Sequence, residues 1–255
     1  MTNYKFSDRL KNFSRILMLL GILGLTYGFF TSPTTVGQAN EIVADSHHEE
    51  GHSQQISEEV HEGDAIGHEQ RESLSDQNDH GEHLLHKLQN KPWAALYVAA
   101  LFFMMISLGT LAFYAIQRAS QAGWSPVLYR VMEGITAYLL PGCLIVLLIL
   151  ILSGVHMNHL FIWMDPEVVA HDELIKSKTG FLNVPFFLVR ACFYILGWCS
   201  YRYFSRRFSL AQDVAKDISY HKKNFRISAA FLVFFIVTES MMSWDWIMSI
   251  DPHWF

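Results

Sequence analysis

The residues that could do chemistry in this chain are few, and they stand where charge is expensive. Glu239 and Asp245 lie within or at the edge of the last long apolar run, and Arg190 lies inside the one before it. Ionisable side chains at membrane depth face a protein interior, pair with one another and mark ion or proton pathways. His156 and His159 close another apolar run at i and i+3, a spacing that puts both rings on one face of a helix. Histidine is also the side chain that changes charge near neutral pH. Glu239, Asp245, His156 and His159 are therefore candidate proton-transfer groups, with Arg190 as the charge that tunes them. At the α-helical rise Arg190 lies about 9 Å and Glu239 about 13 Å from their helix ends. With side-chain reach added these depths overlap, so Arg190 is expected to meet Glu239, with Asp245 as the competing partner nearer the surface. The competing reading makes these groups interfacial residues hydrogen-bonded to water and headgroups.

Trp244 and Trp246 flank Asp245 and could line a quinone site at the membrane edge, although indoles at that level also form ordinary aromatic belts. Metal chemistry has no pattern to work with. Cys143, Cys192 and Cys199 all fall in apolar runs, without CxxC or CxxCH spacing, and read as small packing residues. His156 and His159, on one helix, do not make the facing pair of ligands that a b-type haem commonly uses. No metal ligand is assigned.

These residues must be positioned by membrane helices. The chain has 255 residues and is 51% hydrophobic, yet its charges are sparse in five windows, residues 16–36, 93–116, 135–155, 184–204 and 227–248. Each is close to the roughly 20 residues a helix needs to cross hydrocarbon. The fold class expected is all-α integral membrane, with five transmembrane helices. The net charge of −5 does not indicate a soluble acidic protein, because the acid is concentrated between Glu41 and Glu82.

Three regions follow. Residues 1–39 hold a basic start (Lys5, Arg9, Lys11, Arg15) and an apolar run. They read either as a signal peptide ending at the small residues before Asn40 or as an uncleaved anchor helix, the reading adopted here. Residues 40–91 form a hydrophilic insert with most of the histidines (His47, His48, His52, His61, His68, His80, His83, His86), no aromatic residue and only scattered branched apolar ones. Such a composition cannot bury a core and is expected to be disordered, with helix possible only towards residues 81–91. His-rich tracts bind transition metals, but no spacing here fixes a tetrahedral site. Residues 92–255 hold four spans joined by short loops, the connectivity of an up-down four-helix bundle. Most lysines and arginines fall in the N-terminus, the loop 117–134 and the segment after Phe204, which puts the N-terminus in the cytoplasm. The insert, the Asp165 loop and the closing stretch then face outward. Pro185 suits the first turn of its helix, whereas Pro141 is expected to kink the third span. Asp165-Pro166 and Asp251-Pro252 end the third and fifth spans with a similar phrase, placing Asp165, Asp251 and His253 near one another.

Three phrases also carry a resemblance. Lys178 to Arg190 (KTGFLNVPFFLVR), His159 to Pro166 (HLFIWMDP) and above all Trp246 to Phe255 (WIMSIDPHWF) look like the F subunit of bacterial alternative complex III, a quinol:cytochrome c oxidoreductase whose membrane subunits are similar to those of polysulfide reductase. The matching phrases cover roughly residues 132–255. The resemblance implies a multi-pass subunit of a bacterial energy-coupling membrane with no redox centre of its own. Its partners would be a homologous quinol-binding membrane subunit, subunits carrying iron–sulfur clusters and haem c, and lipid; nucleic acid is not among them. In that family the helices form two four-helix bundles. This sequence stops inside a phrase that there runs on into further helices, so a second bundle is expected beyond it. Three roles are open: a proton pathway through the bundle, a scaffold for neighbouring subunits, or a quinone site at the outer interface. Whether the chain belongs to the catalytic machinery is open with them.

Overall fold

A computed structural model of the chain describes residues 8–33, 35, 37–38 and 69–254, without the side chains of residues 69–84, 86–87 and 254. Its regular structure is helical, with no strand among the described residues. Five stretches are long and apolar enough to cross a membrane: Asp8–Phe30, Leu88–Ala119, Ser125–Gly154, Val184–Gln212 and Ser219–Ile250. They follow the five apolar windows in order. The chain divides into two compact units, Met1–Leu96 and Tyr97–Phe255.

In the first unit, helix α1 (Asp8–Phe30) buries none of its residues; Leu17, Leu20, Leu23 and Phe30 are all exposed. That is the surface of a helix solvated by lipid, where apolar side chains gain little from leaving one hydrocarbon environment for another. Its end packs on helix α2 (Glu69–Ala119): the Phe29 and Trp93 rings meet edge to face at 5.0 Å, and Gln89 Nε2 donates to the Pro33 carbonyl at 3.1 Å. Helix α2 begins at Glu69, well upstream of the residues 81–91 where the sequence suggested its onset. The stretch 69–91 contains no proline before Pro92 and is rich in Glu, Gln, Leu and Lys, so nothing stops the apolar span from propagating helix backwards. The rest of the insert, residues 40–68, lies outside the described residues.

In the second unit, the third span (Ser125–Gly154) changes its winding along its length. A 3₁₀ turn (Ser125–Leu128), a short helix (Tyr129–Ile135) and another 3₁₀ turn (Thr136–Tyr138) precede helix α3 (Leu139–Gly154). Pro141 falls in the first turn of α3, directly after the 3₁₀ turn Thr136–Tyr138, so the change of winding stands where its missing N–H would have met a carbonyl of the preceding turn. Helix α4 (Val184–Gln212) starts at Asn183, whose Oδ1 accepts from Phe186 N at 3.0 Å, and Pro185 sits in its first turn as its fixed φ favours. Helix α5 (Ser219–Met242) runs on into a π-helical turn (Ser243–Ile247) and a 3₁₀ turn (Met248–Ile250).

Helices α4 and α5 pack on each other most extensively. Gly197 makes that possible, because a Cβ there would stand 2.2 Å from the Phe234 ring. Leu139, Cys143, Leu150, Phe187, Trp198 and Trp246 are buried in the core of the unit, while Phe102, Leu148, Val189, Leu196 and Val233 are exposed. Arg118, Glu133, Arg190 and Asp245 are buried instead. Charge inside and large hydrophobes outside is the arrangement lipid demands.

Candidate functional site

Asp245 lies in the π-turn that follows α5 and is fully buried. Arg190, on the second turn of α4, is 5% exposed. Its guanidinium grips the carboxylate with both arms, Nε donating to Oδ2 at 2.8 Å and Nη2 to Oδ1 at 2.5 Å. Forked, charge-assisted pairs of this kind are the strong ones. Tyr194, one helical turn further along α4, donates its hydroxyl to the same Oδ2 at 2.9 Å. The third arm of Arg190, Nη1, donates to the Phe181 carbonyl at 3.1 Å. The guanidinium carbon also stands 4.0 Å from the centre of the Phe181 ring and 4.3 Å from that of Phe186, within cation–π range.

The turn that carries Asp245 is itself held from outside. Ser249 Oγ donates to the Asp245 carbonyl, and Tyr97 of α2 donates to the Trp246 carbonyl at 2.7 Å. A π-turn misaligns carbonyls that a regular helix would pair, and these side chains take them up. Trp246 is buried between Tyr194 and Trp198, with ring centroids at 6.3 and 6.0 Å.

The sequence-level candidates separate here. Arg190 meets Asp245 and not Glu239. A depth count along a regular helix ignores the π-turn, which swings Asp245 in towards α4. Glu239 is half-buried, and its carboxylate has no partner among the described residues. His156 and His159 do not share a helical face, because α3 ends at Gly154. His156 has φ +60°; its N–H reaches Ser153 O and that of Met157 reaches Leu152 O, both at 3.0 Å. This is a Schellman stop with His in the place usually taken by Gly. Both histidines are exposed. Trp244 is 48% exposed whereas Trp246 is buried, so the two indoles do not form one wall. His253 lies beside Asp172, Nε2 to Oδ2 2.8 Å, and within 3.4 Å of Asp251, while Asp165 is taken up in capping Glu167 N at 3.0 Å. Lys178 Nζ donates to the Pro252 carbonyl at 2.6 Å. The closing stretch is thus docked on the loop that follows α3.

A column of polar residues that the sequence reading passed over runs from this site along one face of α4. Beyond Tyr194, Trp198 Nε1 donates to Thr238 Oγ1 at 3.0 Å, Tyr201 OH lies 2.8 Å from Ser228 Oγ, Ser205 Oγ donates to Asn224 Oδ1 at 2.8 Å, and Ser209 Oγ accepts from Arg118 at 3.1 Å. All are buried. At the far end Arg118 Nε donates to Tyr114 OH at 3.1 Å, Tyr114 donates to Glu133 Oε1 at 3.2 Å, and Arg130 pairs with both Glu133, at 2.8 Å, and Asp213. The signal was legible, since Tyr194, Trp198, Tyr201, Ser205 and Ser209 recur every three or four residues. Tyr201 also hydrogen-bonds Ser205, one helical turn further along α4, so two neighbouring pairs of the column are joined.

Among the described residues no three His, Cys, Asp or Glu side chains gather closely enough to hold a metal ion. Cys143 and Cys199 are free thiols that hydrogen-bond to each other between α3 and α4.

Elements and site together define an all-helical multi-pass membrane protein with a buried ion pair near one end of its second unit. Compared with models of known protein families and with curated proteins, the sequence matches none.

Proposed function

We propose that this chain is a membrane subunit of a respiratory quinol:cytochrome c oxidoreductase of the alternative complex III type, in a bacterial energy-coupling membrane. In this reading α2 to α5 form an up-down four-helix bundle, the N-terminus is cytoplasmic, and haem c, iron–sulfur clusters and the principal quinol site belong to partner subunits. The subunit holds no redox centre and contributes a proton pathway. The observation that carries this part is the buried Arg190–Asp245–Tyr194 cluster continued by the polar column of α4.

Arg190 presents two donors to the buried Asp245 carboxylate, and Tyr194 adds a hydroxyl through which a proton can pass towards α4. Beyond it the side-chain pairs would have to part and admit water where they are not joined to one another, as Tyr201 is to Ser205. Asp245 and Glu133 are the ionisable groups at the two ends of the column. Glu239, exposed His156 and His159 have no part in it, and Trp244 and Trp246 no longer make a quinone wall.

One observation favours a second reading, a scaffold subunit of the same complex. Every carboxylate oxygen of Asp245 already has a donor from Arg190 or Tyr194, the geometry of a structural clamp. To test the assignment, the tagged chain is isolated from its native membrane with its partners. Quinol-dependent reduction of cytochrome c by that preparation supports the reading; co-isolation of another membrane machine, without haem c, removes it.

A further inference from the structure

The lipid-facing side of α4 and α5 carries a groove of about 280 Å³. Its walls are apolar: Gly197, Tyr201 and Phe204 from α4, Ile227, Ala230 and Phe234 from α5. The absence of a side chain at Gly197 lets the Phe234 ring lie against α4. Continuing both helices by the i, i+3, i+4 rule away from Asp245, the groove runs on over Phe208 and Tyr220, whose rings are 6.3 Å apart, and Phe204 and Phe208 rings are 6.5 Å apart. The same faces then turn cationic. Lys223 Nζ stands 5.1 Å over the Tyr220 ring; Arg207 and Arg226, each one helical turn from a groove residue, are exposed, as are Arg206 and Lys222. None of these five cations has an ion-pair partner among the described residues. The acids of that end are engaged elsewhere, Asp213 with Arg130 and Asp217 with Ser219.

We propose that the groove and its cationic end are a binding site for one anionic glycerophospholipid, an acyl chain lying along Gly197, Ala230 and Phe234 and the phosphate facing Lys223, Arg226 and Arg207. An apolar groove inside the membrane that opens on unpaired cations at the level of the headgroups matches the two halves of such a molecule, and basic pockets between membrane helices take acidic headgroups. A neutral isoprenoid tail or a partner's apolar helix would use the groove and leave the cations without a role. The site is on the outer surface of α4 and α5, touches the buried column only through the ring of Tyr201, and does not depend on the respiratory assignment.

The test is native mass spectrometry of the full chain, with its co-purifying subunits, in detergent, titrated with phosphatidylglycerol or phosphatidylcholine of the same acyl composition. The wild type should retain one phosphatidylglycerol where phosphatidylcholine is lost. Lys223→Gln with Arg226→Gln, both exposed, should weaken retention about thirtyfold, each cation near the surface contributing about fivefold. Ala230→Trp, which fills the groove from its exposed side, should abolish retention with an unchanged circular dichroism spectrum. Equal retention of the two lipids, unchanged binding by the double Gln variant, retention by Ala230→Trp, or a protein subunit found covering the groove would each overturn the proposal.

Discussion

Arg190 and Asp245 are costly to bury, and each is tolerable only because of the other. Removing one member of a buried pair leaves an uncompensated charge and costs roughly 3–5 kcal/mol. Arg190→Met and Asp245→Leu should therefore each lower thermal stability in detergent sharply, whereas the two combined should recover much of the loss; a double-variant loss equal to the sum of the two single losses would show that the pair is not coupled. His156 behaves differently. Its φ of +60° carries a steric cost of about 1–2 kcal/mol for a residue with a Cβ, so His156→Gly should hold or raise the melting temperature and leave activity intact, where a relay histidine would lose it. At the loop, Asp172 is held below the ordinary carboxylate range, first by the N–H of Ile175 and also by His253 and the N–H of Leu174. An acid depressed by folding binds fewer protons folded than unfolded. Its contribution is therefore complete above the unfolded value of about 3.9 and fades as pH falls through the lower folded one. Protease accessibility of the closing stretch, followed from pH 6 downward, should stay constant to about pH 4 and rise below it; a rise already near neutrality would place the docking on another group.

At the scale of elements, the apolar windows and the helix-start signals were legible because lipid leaves few options: backbone groups must pair within the segment, and Asn183-Val184-Pro185 writes a start on its own. The order of the five spans followed from this alone. What was not legible were departures from helical regularity. Nothing in Ser243 to Ile247 announces a π-turn, yet that turn makes Asp245, and not Glu239, the partner of Arg190. Nor does His156 announce a left-handed stop, since glycine is the residue that usually signals one. The polar column of α4 was written in plain three- and four-residue spacing, but aromatic and hydroxyl residues in an apolar run read equally well as packing until their partners on α5 and α2 are known. The closeness of α4 and α5 rests on Gly197. A methyl group there meets the Phe234 ring, and overpacking of this kind costs typically about 1–3 kcal/mol. Gly197→Ala should lower the melting temperature, and Gly197→Ala with Phe234→Leu should restore it; an unperturbed single variant would mean the two helices are free to move apart.

For the molecule as a whole, the second unit puts charged groups at both ends of a buried polar face and hydrocarbon on its outside. Five spans and an ion pair are compatible with many membrane machines, and the respiratory assignment rests on three phrases, all within residues 159–255. The closed geometry of the column leaves clamp and conduit as the two accounts of Asp245, and they differ in what a neutral isostere does. The deciding measurement is the proton-to-electron ratio of the isolated complex reconstituted in vesicles, with wild-type chain and with Asp245→Asn. The conduit account predicts an assembled variant that still passes electrons from quinol to cytochrome c with a lower ratio of protons moved. An assembled Asp245→Asn complex with an unchanged ratio would contradict it.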